Sequence, residues 1–178
     1  IPPLLVKRCG PALALPLSLI MNRSLSLGEF PDEWKKARIV PLHKKGNLDD
    51  VNNYRPISIL SCFSKLFESL ICPIVSRHTF HLLSEQQHGF KKGRSVETNL
   101  VGFVSELSCE IDRGHQIDAV YTDFSSAFDK VNHSLIIKKL EFIGFHGSFL
   151  KWFRSYLANR EQVVFVHGFE SNTYFAKS

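Results

Sequence analysis

From Ser61 onward the apolar residues Phe63, Leu66, Phe67, Leu70, Ile71, Ile74 and Val75 recur at the three-and-four spacing of a single helix face. Ser61 suits the N-cap, and Pro73 predicts a kink or an early end. A second helix opens at Ser95 or Thr98, carries Val96, Leu100, Phe103, Val104, Leu107 and Ile111 along one side, and stops at Gly114. Leu13 to Leu27 reads as helix ending near Gly28, and His133 to Ile143 and Phe149 to Ala158 as two more, separated by Gly144 and Gly147. Strand-like runs lie between them. Ala37 to Lys44 is one, demoted to an edge or a bulge by Pro41. A polar loop, Lys45 to Asn53, leads to a return strand, Tyr54 to Leu60, so the pair predicts a two-stranded flap. Ile117 to Thr122 is a short β-type run, and Gln162 to Val166 with Thr173 to Ala176 predicts a closing hairpin around Gly168 to Asn172. Helices mixed with separated strand pairs predict an α+β fold.

Composition changes this picture little. With 178 residues, 44% apolar and 22% charged, the chain has the makings of one folded domain rather than a disordered tail. Lys and Arg exceed Asp and Glu by 22 to 17, which is compatible with a polyanionic partner without requiring one. Cys9, Cys62, Cys72 and Cys109 form no C-x-x-C pair, so they read as buried thiols in a reducing compartment rather than as a disulfide or zinc framework. The expectation is an intracellular protein, nuclear and/or cytoplasmic and not secreted. Lys7-Arg8 and the apolar run Cys9 to Met21 imitate a signal peptide, but Pro11 and Pro16 interrupt it and it is too short to span a bilayer. It reads as a packed helical segment, with no membrane partner. The first residue is Ile rather than Met, which suggests a fragment or a processed piece.

The densest chemistry lies in Val120-Tyr121-Thr122-Asp123-Phe124-Ser125-Ser126-Ala127-Phe128-Asp129-Lys130-Val131. A carboxylate delivered at the end of a strand can hold a hard divalent cation through oxygen, and such an ion can carry phosphoryl chemistry. A plainer account is equally available: Asp123 as a turn residue accepting backbone hydrogen bonds, Asp129 as a helix-start residue, Phe128 as core.

This segment resembles motif A of reverse transcriptases in the form found in non-LTR (LINE-type) retrotransposons. Three further stretches resemble the finger motifs of the same enzymes: Phe30-Pro31-Asp32-Glu33-Trp34-Lys35, Ile39-Val40-Pro41-Leu42-His43-Lys44-Lys45-Gly46 and Asn53-Tyr54-Arg55-Pro56-Ile57-Ser58. Glu85-Gln86-Gln87-His88-Gly89-Phe90-Lys91-Lys92-Gly93-Arg94-Ser95 is similar to the segment that precedes motif A there. They occur in the family's order, and the resemblance covers about Ser24 to Ser178. It implies the fingers and the start of the palm of a right-hand polymerase: about 24–116 as fingers and connecting helices, 117–178 as early palm. Asp123 matches the metal-binding aspartate, with the Phe124 backbone carbonyl beside the metal. Phe128 matches the ring that closes against the 2′ side of the sugar and so favours deoxynucleotides. Lys44 and Arg55 match basic positions that meet the incoming triphosphate, and Lys91, Lys92 and Arg94 are candidates for template phosphates. Asp129 belongs to the family pattern without being a ligand.

The implied reaction is RNA-directed DNA synthesis by nucleotidyl transfer, with two Mg²⁺ ions, an RNA template, a DNA primer and deoxynucleoside triphosphates. Motif B and the Ala-Asp-Asp turn that supplies the other aspartates find no match. The one Asp-Asp pair, Asp49-Asp50, lies in the finger loop and reads as a polar turn. The expectation is therefore a polymerase segment that is inactive alone, truncated before motif B. The rival is a non-catalytic nucleic-acid-binding or structural remnant of that fold.

Overall fold

The chain opens with two helices, α1 (Pro3–Arg8) and α2 (Gly10–Leu27), in a computed structural model that describes residues 2–124, 127, 128 and 130–176. Pro11 sits in the first turn of α2, where its missing N–H costs nothing, and Pro16 is accommodated inside the helix. Leu17, Met21 and Ser24 form the buried stripe of α2. Gly28 ends the helix at φ +75, and a Cβ there would lie 2.6 Å from Lys151 Cβ and 2.8 Å from the Ser148 carbonyl oxygen. The turn Asp32–Trp34 follows, then β1 (Ala37–His43), β2 (Tyr54–Leu60) and α3 (Cys62–Thr79). Helix α4 (Val96–Asp112) comes next, then α5 (His133–Phe142), α6 (Gly147–Leu157), β3 (Glu161–Val166), β4 (Phe169–Glu170) and β5 (Tyr174–Phe175).

The strands form one mixed five-stranded sheet in the order β2-β1-β3-β4, with β5 also on β3. The separated pairs expected from sequence are therefore joined. Ala37, Arg38 and Ile39 of β1 run parallel to Gln162, Val163 and Val164 of β3. The flap forms as expected, β1 antiparallel to β2 from Ala37↔Leu60 to His43↔Tyr54. Pro41 faces Pro56 in this register. The Lys44 N–H bonds the Asn53 carbonyl at 2.8 Å, and alternation from that pair puts the two prolines at a position with no mutual hydrogen bonds. Pro41 also has no donor to offer on the β3 side, and there the pairing ends at Ile39. The last hairpin turns at His167 and Gly168, both at positive φ, and the shift in register between β4 and β5 marks a one-residue bulge.

Three expectations need correction. Residues 117–122 are not a strand: none of the described residues pairs with them, Val120 and Tyr121 are 88% and 82% exposed, and an unpaired strand has no ladder to hold it. Of the two outcomes expected at Pro73, a kink or an early end, the early end does not occur: α3 continues to Thr79, its buried side chains Ser64, Phe67 and Ile71 all preceding the proline. The thiols also differ: Cys72 and Cys109 are exposed, and Cys9 and Cys62 half-buried.

The chain divides into two compact units, Ile1–Pro73 with Ala127–Ser178, and Ile74–Ser126. The first holds every fully buried apolar side chain among the described residues, including Phe30, Ile39, Phe67, Phe145 and Trp152. Phe30 stacks on Phe67 at 5.8 Å and meets Trp152 edge-on at 5.4 Å. Trp152 Nε1 donates to Ser24 Oγ at 3.0 Å, Ser24 Oγ donates to the Glu29 carbonyl, and the Phe30 N–H donates to Ser155 Oγ at 2.9 Å. These bonds fasten the end of α2 to α6. In the second unit α4 begins with a capping box: Ser95 Oγ accepts from the Thr98 N–H, and Thr98 Oγ1 accepts from the Ser95 N–H. None of its apolar residues is fully buried.

Candidate nucleotide and nucleic-acid interface

The flap places its two candidate cations on one face. Arg55 lies opposite Leu42, and Lys44 opposite Asn53 in the same ladder, so Lys44 and Arg55 are diagonal neighbours. That face alternates with the one carrying buried Ala37 and Ile39, and both cations are exposed. Arg38 shares their face further down β1, its guanidinium 4.0 Å from the centre of the Phe165 ring and 3.0 Å from Glu170. The loop between the strands is stiffened by its own polar groups. Asp50 Oδ1 accepts from the Asn52 N–H at 2.9 Å, Asn53 Nδ2 donates to the Asn47 carbonyl at 2.9 Å, and Tyr54 Oη donates to the Leu48 carbonyl at 2.9 Å. Asp49-Asp50 is thus a turn.

The motif Phe30 to Lys35 has a structural role. Phe30 is core, Trp34 meets Phe67 edge-on at 5.9 Å, and Lys35 is buried with its ammonium 2.8 Å from Asp32. A polar network that sequence did not suggest sits behind it. Glu68 Oε1 accepts from Tyr156 Oη at 2.9 Å and from Ser64 Oγ at 3.2 Å. Burial, with the Glu68 charge beside it, pushes the Tyr156 hydroxyl up to about 12. Residues 68 and 156 are far apart in the chain, and no local pattern connects them.

In the second unit Asp123 is exposed in irregular backbone, and the side chain of Phe124 is exposed as well. Tyr121 touches α4 through Phe103, ring centres 6.2 Å apart. Lys91 is half-buried in its own loop: its ammonium donates to the Ser84 carbonyl at 3.3 Å and lies 5.2 Å from the centre of the Phe80 ring. Lys92 and Arg94 are exposed. Phe128, in the first unit, is 81% exposed rather than core. Ser125, Ser126 and Asp129 lie outside the described residues.

Among the described residues no three His, Cys, Asp or Glu side chains gather as a metal site. Two hard divalent ions need several carboxylates, and Asp123 brings one. The described residues do not make up a two-ion site. Nor is any helix among the described residues long and apolar enough to cross a membrane.

Comparison with known proteins adds what geometry leaves open. The family model of reverse transcriptase (RNA-dependent DNA polymerase) matches residues 42–177. A probable RNA-directed DNA polymerase from transposon BS of Drosophila melanogaster is 34% identical over 155 residues, 84% of this chain and 17% of that protein. The RNA-directed DNA polymerase from mobile element jockey of the same species is 29% identical over 88% of this chain and 17% of its own length. A putative 115 kDa protein in its type-1 retrotransposable element R1DM is 30% identical over 83% of this chain and 14% of its own. The chain thus spans about a sixth of the length of these relatives. An α+β chain with a cation-bearing flap, matched by the family model over most of its length, belongs to the reverse transcriptase family, in the form carried by non-LTR retrotransposons.

Proposed function

We propose that this chain forms the fingers and the beginning of the palm of an RNA-directed DNA polymerase, which joins deoxynucleotides to a DNA primer on an RNA template. The observation that carries the proposal is the pairing of Lys44 and Arg55 on the open face of the β1–β2 flap. A triphosphate needs cations along its oxygens, and a guanidinium can grip two of them at once. The stiff loop between the strands holds those cations in place before the nucleotide arrives, which lowers the entropy lost on binding. In the whole polymerase the primer 3′-hydroxyl attacks the α-phosphorus and pyrophosphate leaves. In this reading Phe128 is the ring that excludes a ribose 2′-hydroxyl, and Lys92 and Arg94 provide charge for template phosphates. Asp123 contributes one carboxylate toward Mg²⁺. The proposed setting is the interior of the cell, where template and nucleotides are found.

Arg55→Ala in a polymerase containing this chain tests the flap. Steady-state primer extension should show the KM for deoxynucleotide raised roughly 10- to 100-fold, with template–primer affinity unchanged. An unaltered KM would remove the flap from nucleotide binding.

A further inference from the structure

Helices α5 and α6 border a cleft of about 340 Å³ that none of the residues assigned above lines. Its floor is apolar: Ile137 is buried and Leu157 half-buried. Its rim is cationic. Lys138 of α5 and Arg154 of α6 line it, one from each helix and both exposed, with half-buried His133 at the start of α5. No acidic side chain lines the cleft, and neither Lys138 nor Arg154 forms an ion pair among the described residues. The imbalance extends along both helices: they carry Lys138, Lys139, Lys151 and Arg154 against one carboxylate, Glu141, and residues 142–160 hold none. The first turn of α5 opens on the same cleft through His133 and Ser134. That turn is fixed by Asn132 Oδ1, which accepts from the Leu135 N–H at 3.0 Å and from Ser134 Oγ at 2.6 Å.

Folding accounts for part of this. A cation in the last turn of α6 suits the dipole of that helix, which covers Arg154. Lys138 sits in the middle of α5, where the dipole gives it nothing, and like charges at one rim repel. We propose that the cleft holds a phosphodiester of a nucleic-acid backbone, gripped by Arg154 and Lys138 over the apolar floor. A guanidinium takes two phosphate oxygens, an ammonium adds a point charge, and the low-dielectric floor strengthens both. A free anion is held best by donors that close round it. Exposed cations on a rim suit a strand, which is bound by the sum of many such contacts. Backbone contacts carry no sequence information, so the site positions a strand without choosing its bases. The inference adds a strand contact to the function proposed above and holds whether or not the flap takes a nucleotide.

The test is fluorescence anisotropy of a labelled oligouridylate RNA with this chain across a salt series. Lys138→Gln with Arg154→Gln should weaken binding roughly 10- to 30-fold at about 0.1 M salt. The slope of log affinity against log salt should flatten by about 1.4, two contacts at about 0.7 each. Each single variant should show about half of that change in slope, and Lys138→Arg should retain the parent's affinity. Both side chains are exposed, so the thermal midpoint should stay at the parent's; where the double variant's falls, the single variants carry the test. Lys7→Gln with Arg8→Gln removes the same charge from exposed positions of α1 and should leave the slope unchanged. An unchanged slope in the cleft variants, or an equal fall for the α1 pair, would overturn the site. Displacement of the RNA by inorganic phosphate at matched ionic strength would overturn it too, making the cleft a pocket for a free anion. So would a parent chain that binds no RNA. Failure of the flap shows instead as an unaltered KM in Arg55→Ala, so the two readings fall separately.

Discussion

Phe128 and Phe30 belong to stretches that look alike on paper, aromatic residues in family-like motifs, and they have opposite fates. Phe30 is packed among Trp34, Phe67, Trp152 and Tyr156, whereas Phe128 stands in solvent. Burial accounts for Phe30, and the exposed Phe128 is the ring proposed to act at the sugar. Phe128→Val in the polymerase containing this chain should raise ribonucleotide incorporation relative to deoxynucleotide by about tenfold or more, because rejecting a hydroxyl by a steric wall is lost once the wall shrinks. Competitive incorporation of the two nucleotide types measures this, and an unchanged ratio would refute the steric role. The same contrast marks what a linear motif can convey. Asp32 and Lys35 could be recognised as a motif, but their structural task, an ion pair with a buried ammonium, depends on neighbours the motif does not include.

At the scale of elements, the join of α2 to α6 is the most demanding. Gly28 adopts φ +75 and passes so close to α6 that a methyl group has no room against Lys151 and Ser148. Gly28→Ala should destabilise the fold by roughly 2–4 kcal/mol, the left-handed penalty plus displacement of the facing helix. Urea unfolding followed by tryptophan fluorescence gives the value, and a loss below about 0.5 kcal/mol would show that α6 yields without cost. The helix end at Gly28 was legible from sequence, as were α3, α4, α5, α6 and the flap, because capping and periodicity are local signals. The parallel pairing of β1 with β3 was not, since Ile39 and Val164 meet through tertiary structure alone. The run at Ile117 failed for the converse reason. Its composition suits a strand, but a strand exists only beside a partner.

Across the whole molecule, organisation is uneven. The first unit buries an aromatic core, while the second leaves Leu100, Val104 and Ile111 of α4 exposed together with Val120, Tyr121 and Phe124 near Asp123. The candidate residues are spread accordingly: Lys44, Arg55 and Phe128 in the first unit, Lys92, Arg94 and Asp123 in the second. Sequence could name them because they fall within family motifs, but it could not say that Lys91 is committed to its own loop or that Asp123 joins no group of three metal-ligating side chains among the described residues. The central claim, that this chain supplies Asp123 to nucleotidyl transfer, is tested most directly by primer extension on an RNA template. The comparison is between a polymerase containing this chain and its Asp123→Asn variant, with template–primer binding measured in parallel. Extension should fall by at least about 100-fold while binding is retained; equal extension by the two proteins would contradict the account.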